Sequence, residues 1–215
     1  MLRHLMVVLL LGGLATAREG DYKVEPVAAL TAAGVSEAVR GALEPKGLRV
    51  AGADGKPVCE VWFRKEIPTT PAEVAGANYA QLGEGAFVGM IHFPAGGGDF
   101  RGQPIKAGYY TLRYGLILQD GNHLGVSPVR DFFLLGPAAE DKDPSARLKP
   151  EELIKLSRAA SGTSHPSVWS LVQAGGEGLP KVVKNEEGHI ILETKLKTAG
   201  GELPVGLVVV GKTEG

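Results

Sequence analysis

The chain has 215 residues, with 23 lysines and arginines against 24 aspartates and glutamates, for a formal net charge of −1. The opposite charges are interspersed. There is no basic, aromatic-bearing patch for nucleic acid and no cationic amphipathic helix for a membrane surface, so neither partner is expected.

The N-terminus reads as an export signal. Arg3 and His4 supply a basic start, Leu5 to Leu14 is apolar, and Ala15-Thr16-Ala17 is a small-x-small cleavage pattern. An apolar run of ~10 residues is shorter than the ~20 that a membrane-spanning helix needs. No cysteine lies near the cut and no twin arginine precedes it, which favours Sec-type export with cleavage after Ala17. The expected organisation is a signal peptide over residues 1–17 and one domain over 18–215. That domain would be secreted or periplasmic, with no transmembrane segment in the mature chain.

Farther along, "SEAVRGAL" (Ser36 to Leu43) predicts a short helix, with Ser36 as N-cap and Glu37 in the first turn, stopped by Pro45 and Gly47. Two β-rich runs flank Asp54-Gly55, a dipeptide suited to a tight hairpin. In the second run, "VCEVWF" alternates and places Cys59, Val61 and Phe63 on one face. Cys59 is the only cysteine, so no intramolecular disulfide forms. Its two readings are a small buried hydrophobe and a reactive thiolate. The second needs a nearby histidine or helix N-terminus, and neither is visible locally. After a loop, Phe87 to Phe93 is apolar on both faces and predicts a central strand. The Gly96-Gly97-Gly98 stretch that follows lacks the GK[ST] and the helix of a phosphate loop.

"YYTLRYGLIL" predicts the strongest strand, with Tyr110, Leu112, Tyr114 and Leu116 on one face and Tyr109, Thr111, Arg113 and Ile117 on the other. A polar loop, "DGNHLGVSPVRDF", leads into the buried strand "DFFLL", and an acidic, proline-bearing linker follows from Pro137 to Leu148. Pro150, Glu151 and Glu152 open a helix that Lys155, Arg158 and Gly162 close. "GHIILETKL" and "LPVGLVVVG" read as a final hairpin through Gly200-Gly201. The 31 glycines and 14 prolines between short apolar segments complete the case for an all-β fold. The expectation is a two-sheet antiparallel β-sandwich of about nine strands with one or two short peripheral helices.

The polar loop is the candidate site. Asp120-Gly121-Asn122 is turn chemistry. That leaves His123, Arg130 and Asp131, beside Arg113 on the preceding strand and Asp99 and Arg101 upstream. One reading is an ion-pair network pinning loops to the sheet, with Arg113 and Asp131 as direct partners. The other is a ligand site of Arg113, His123, Arg130 and Asp131, where an arginine holds an anion and His123 acts as acid, base or donor. No histidine pair has HxH, HxxH or HExxH spacing, no GxSxG elbow occurs, and no cofactor motif is present. His92 is expected as a hydrogen-bonded strand histidine, and His165-Pro166 as a turn.

The stretch "IKAGYYTLRYGLILQDGNHLGVSPVRDFFLL" (Ile105 to Leu135), with "GLRV" and "CEVWFRKEIP" upstream, resembles exported bacterial β-sandwich proteins of unassigned activity. In these, an "AG-YTLR" strand follows a glycine-rich loop. The resemblance implies a β-sandwich and export, and it transfers no catalytic residue. Together these readings predict a non-catalytic binding module of the cell envelope, whose partner is a small molecule, a glycan or an envelope protein. The alternative is a hydrolytic or metal-dependent enzyme built around His123, Arg113 and Asp131.

Overall fold

A computed structural model describes residues 22–117 and 129–213. The fold is mainly β. In chain order the strands are β1 (Lys23–Val27), β2 (Gly47–Ala51), β3 (Pro57–Phe63), β4 (Phe87–Phe93), β5 (Gly97–Gly98), β6 (Pro104–Ile105), β7 (Gly108–Leu116), β8 (Asp131–Pro137), β9 (Val168–Val172), β10 (Lys181–Lys184), β11 (Ile190–Thr198) and β12 (Gly201–Val210). Two helices, α1 (Glu37–Ala42) and α2 (Pro150–Ser161), join them.

Ten strands form one antiparallel sheet in the order β1-β2-β3-β4-β7-β8-β9-β12-β11-β10, and β5 and β6 make a separate two-residue ladder. The two-sheet sandwich expected from the sequence is therefore replaced by a single curled sheet. The ladder runs unbroken through β9, which pairs with β8 on one side and β12 on the other. The ends of the order, β1 and β10, come into contact, and Val24 and Val182 pack against the same core, so the sheet is nearly a closed barrel. These two strands escaped the sequence reading for a physical reason. KVEPV and KVVK are short and largely half-exposed or exposed, and Pro26 suits an edge.

The sheet's concave face holds the main core, with Val61, Ile91, Leu112, Phe133, Leu192 and Leu207 all fully buried. Cys59 lies there too, on the face shared with Val61 and Phe63, as the alternation requires. Burial pushes its thiol up to about 12, helped by the neighbouring Glu60 charge. A second cluster on the convex side packs Val39 of α1 on Trp62, Phe87 and Met90, so β4 is covered on both faces. The Ser36 hydroxyl accepts from the Val39 N–H at 3.2 Å and caps α1. Gly89 sits at a register shift in β4 where a Cβ would lie 2.4 Å from the Trp62 carbonyl oxygen, an approach only glycine permits.

α2 packs across the convex face of β7 and β8. Leu153 is buried there, and the Ser157 hydroxyl donates to the Ser167 carbonyl at 3.0 Å while accepting from the Ser167 N–H at 2.9 Å. Glu152 accepts from the Lys149 N–H at the helix start, and Gly162 ends it in the left-handed conformation at φ 68°. Among the described residues, no helix is long and apolar enough to cross a membrane.

Candidate functional site

His123 and residues 118–128 of the polar loop lie outside the described residues, as does the N-terminal export segment. The remaining predicted residues do not converge. Register explains why. In the β7–β8 ladder Arg113 stands opposite Leu134, and Leu116 stands opposite Asp131. Directly paired residues share a face, so Arg113 points to the convex side, against the linker, and Asp131 points with Tyr114 and Leu116 into the core. The expected Arg113–Asp131 pair is not formed.

Arg113 pairs instead with Asp141 of the linker. Its Nε and Nη2 donate to the two Asp141 oxygens at 2.6 and 2.7 Å, its Nη1 reaches the Gly85 and Ala146 carbonyls, and Nη2 also reaches that of Asp143. All five guanidinium N–H groups are thus engaged within the protein. Thr111 adds a hydroxyl to Asp141 at 2.6 Å. The linker from Pro137 to Leu148 is held down by this one fully buried cation.

Asp131 is equally committed. It accepts from the Asn78 and Tyr79 N–H groups at 2.8 and 3.0 Å and from the Tyr114 hydroxyl at 2.6 Å. Burial, then that hydrogen bond, drives the Tyr114 hydroxyl far above its ordinary value. Arg130 donates to the Ala75 and Ile117 carbonyls, so it and Asp131 moor the 74–79 loop from two sides.

Other polar groups fall into small sets. His92 donates or accepts through Nδ1 with Glu60 at 2.9 Å and stacks on Tyr109 at 4.1 Å, with Arg49 on the other side of Glu60. Burial raises the Glu60 carboxyl, but the hydrogen bonds from His92 and Arg49 outweigh it and leave the group lowered. Among the described residues, no three histidine, cysteine or carboxylate side chains are grouped to hold a metal.

A cleft of about 240 Å³ opens between α2 and the convex face of β7–β9. Its floor is apolar, made by Ile117, Phe132, Leu134 and Val168, with Leu153 and Ile154 of α2 as one wall and Phe100 as the other. Gly115 opens the floor, because a Cβ there would sit 2.2 Å from Leu134 Cδ1. Glu84, whose carboxylate accepts from the Leu116 N–H, stands with Pro150 in the lining, while Arg101, Arg158 and His165 complete the rim.

The segments bearing Arg101 and His165 are tied together around a buried carboxylate. Asp99 accepts from the Arg101, Gln103 and Val168 N–H groups and from the Gln103 amide, which also donates to the Pro166 carbonyl. Burial outweighs those hydrogen bonds and raises the Asp99 carboxyl. The His165 carbonyl accepts from the Ser161 hydroxyl at 2.6 Å.

Sequence reading named Arg101, Arg158 and His165 separately, as a loop residue, a helix-end base and a turn. No spacing relates them, because their segments meet only on folding, through bonds that include Asp99–Val168, Gln103–Pro166, Thr163–Gln103 and Ser161–His165. Comparison of the chain with protein-family models, with curated proteins and with solved structures found no match.

Proposed function

We propose that the protein is an exported, non-catalytic binding module whose ligand site is the cleft beside α2. Export rests on the basic start, the apolar Leu5–Leu14 run and the Ala15-Thr16-Ala17 pattern. It leaves residues 18–215 as one binding domain of the cell envelope, and the partner is a small molecule. One observation supports the choice of site: among the described residues an apolar floor is left uncovered within a walled cleft, where water contacts surface that a ligand would cover. Small-molecule sites have this make-up, mostly apolar with a few polar groups at defined positions. Of the expected set Arg113, His123, Arg130 and Asp131, His123 lies outside the described residues and the other three side chains spend their hydrogen bonds on the protein itself.

A neutral, environment-sensitive dye such as Nile red tests the reading. Its emission should rise on binding the native protein. Ile154→Trp, a change at a half-buried wall position, should fill the cleft and abolish the rise while leaving the thermal transition in place. Equal dye binding by the native protein and the variant would exclude the cleft.

A further inference from the structure

The cleft is asymmetric along its length. Pro150 and Arg158 line it eight residues apart on α2, a separation of about 12 Å at ~1.5 Å rise per residue. Toward Pro150 lie Leu153, against which Gly115 is packed, and Glu84, whose neighbour Gly85 accepts from the Leu148 N–H. Toward Arg158 lie His165, whose carbonyl accepts from Ser161 of the same helix, and the segment of Phe100 and Arg101, joined to Thr163 through Gln103. Among the described residues, the side chains of Arg101, Arg158 and His165 make no hydrogen bond or ion pair. That sets them apart from Arg113 and Arg130, whose guanidinium groups are both committed to protein acceptors.

Two negative features lie at the same end, and neither cancels the arginines. The C-terminus of α2 carries about half an elementary charge, less than either guanidinium. Asp99 is buried behind Arg101 with both oxygens already accepting N–H groups. The rim is also built in advance. The Arg101 backbone is held by Asp99 and the His165 backbone by Ser161 and Thr163, and Gln103 joins the two segments. An incoming anion therefore orders side-chain tips and not loops, which lowers the entropy cost of binding.

We propose that this cleft takes a medium-chain carboxylate, with its headgroup between Arg101 and Arg158, within reach of His165, and its chain running over Phe132 and Leu134 toward Gly115 and Leu153. The inference rests on the reading of the cleft as the ligand site and adds the chemical class. The apolar floor selects the chain. The unpaired arginines select the headgroup, since guanidinium matches carboxylate with paired N–H donors. Glu84 at the far end disfavours a second negative charge, which argues for a monocarboxylate.

The test compares three headgroups on one ten-carbon chain by titration calorimetry, with decanoate, 1-decanol and decylammonium each below its micelle concentration. Decanoate should bind, decanol about tenfold or more weaker, and decylammonium weaker still, since each charge-assisted hydrogen bond lost is worth about a factor of ten or more. Arg101→Gln combined with Arg158→Gln changes exposed positions only. It should erase the preference for decanoate over decanol. If decanol binds as tightly as decanoate, or the double variant keeps the full preference, the carboxylate assignment is overturned and the cleft reading stands. If none of the three probes binds, or if Ile154→Trp leaves their binding unaltered, the cleft reading itself falls and takes the assignment with it.

Discussion

Removing either member of the Arg113–Asp141 pair should be among the most damaging single changes in the protein. Arg113 is completely buried and the Asp141 side chain is 5 % exposed. Asp141→Ala leaves a buried guanidinium facing only the carbonyls of Gly85, Asp143 and Ala146. Arg113→Ala leaves a buried carboxylate with the Thr111 hydroxyl, and three carbonyls lose their donor. Stranding one charge of a buried pair costs about 3–5 kcal/mol, a large part of the roughly 5–15 kcal/mol that holds a domain folded. The double variant removes both charges together. Its cost should fall short of the sum by up to about 3 kcal/mol, the range for groups in one network. Arg113 and Asp131, on opposite faces with no shared partner, should be additive within about 0.5 kcal/mol. Urea unfolding followed by tryptophan fluorescence measures all of these. The reasoning is refuted if Asp141→Ala costs less than about 1 kcal/mol, or if Arg113 couples more strongly to Asp131 than to Asp141.

Two further outcomes follow from the core. Cys59 should stay protonated and inert to polar thiol reagents at neutral pH. Its folded value is raised from 9.0 to about 12, so its contribution to stability is present below pH 9 and lost as pH rises toward 12. The gap corresponds to roughly 4 kcal/mol at about 1.36 kcal/mol per pH unit. Cys59→Ala, about 1 kcal/mol less stable at pH 7 as small core deletions are, should therefore overtake the native protein above about pH 10 in alkaline unfolding titrations. An unchanged gap between the two proteins across that range would contradict the burial argument. Tyr114→Phe removes the hydroxyl from Asp131 but leaves two backbone donors in place. It should cost about 1.5–3 kcal/mol in the same urea assay, the range for a hydrogen bond to a charged group, and a cost near zero would mean the hydroxyl bond carries no net stability.

What was legible in the sequence was local. Ser36 caps α1, Asp54-Gly55 turns the β2–β3 hairpin, Pro150 and Gly162 bracket α2, and Phe87 to Phe93 is covered on both faces. Each of these depends on residues within a few positions of one another. Register between strands does not. The alternation placed Arg113 opposite in face to Tyr114, but without the β7–β8 register nothing said that Asp131 followed Tyr114 inward. Asp141 was hidden in a linker read only as acidic and proline-bearing, because a buried partner 28 residues away leaves no pattern. The sheet connection had the same difficulty. β9 joins β12 through only two residue pairs, Leu171 to Leu207 and Val172 to Gly206, too brief a junction for hydrophobic periodicity to register. The cleft stayed invisible because its rim residues Arg101, Arg158 and His165 come from loops and a helix end that only folding brings together.

The strand order also dictates an order of assembly. From β1 to β9 each strand of the large sheet pairs with the one made just before it, so this part can zip up progressively as the chain emerges. β12 is different: it must first receive β11 and β10, by a meander of its own, before it meets β9. Local pairings form early and distant ones late, because each long loop must be closed before its contacts repay the lost entropy. The β10–β12 meander joins the rest of the sheet at the short β9–β12 junction, along the seam with β1 and through the bridge from Thr198 to Ile67. Its amide hydrogens should exchange as a block, through opening at β9–β12, at a lower free energy than those of β4 and β7 in the centre of the sheet.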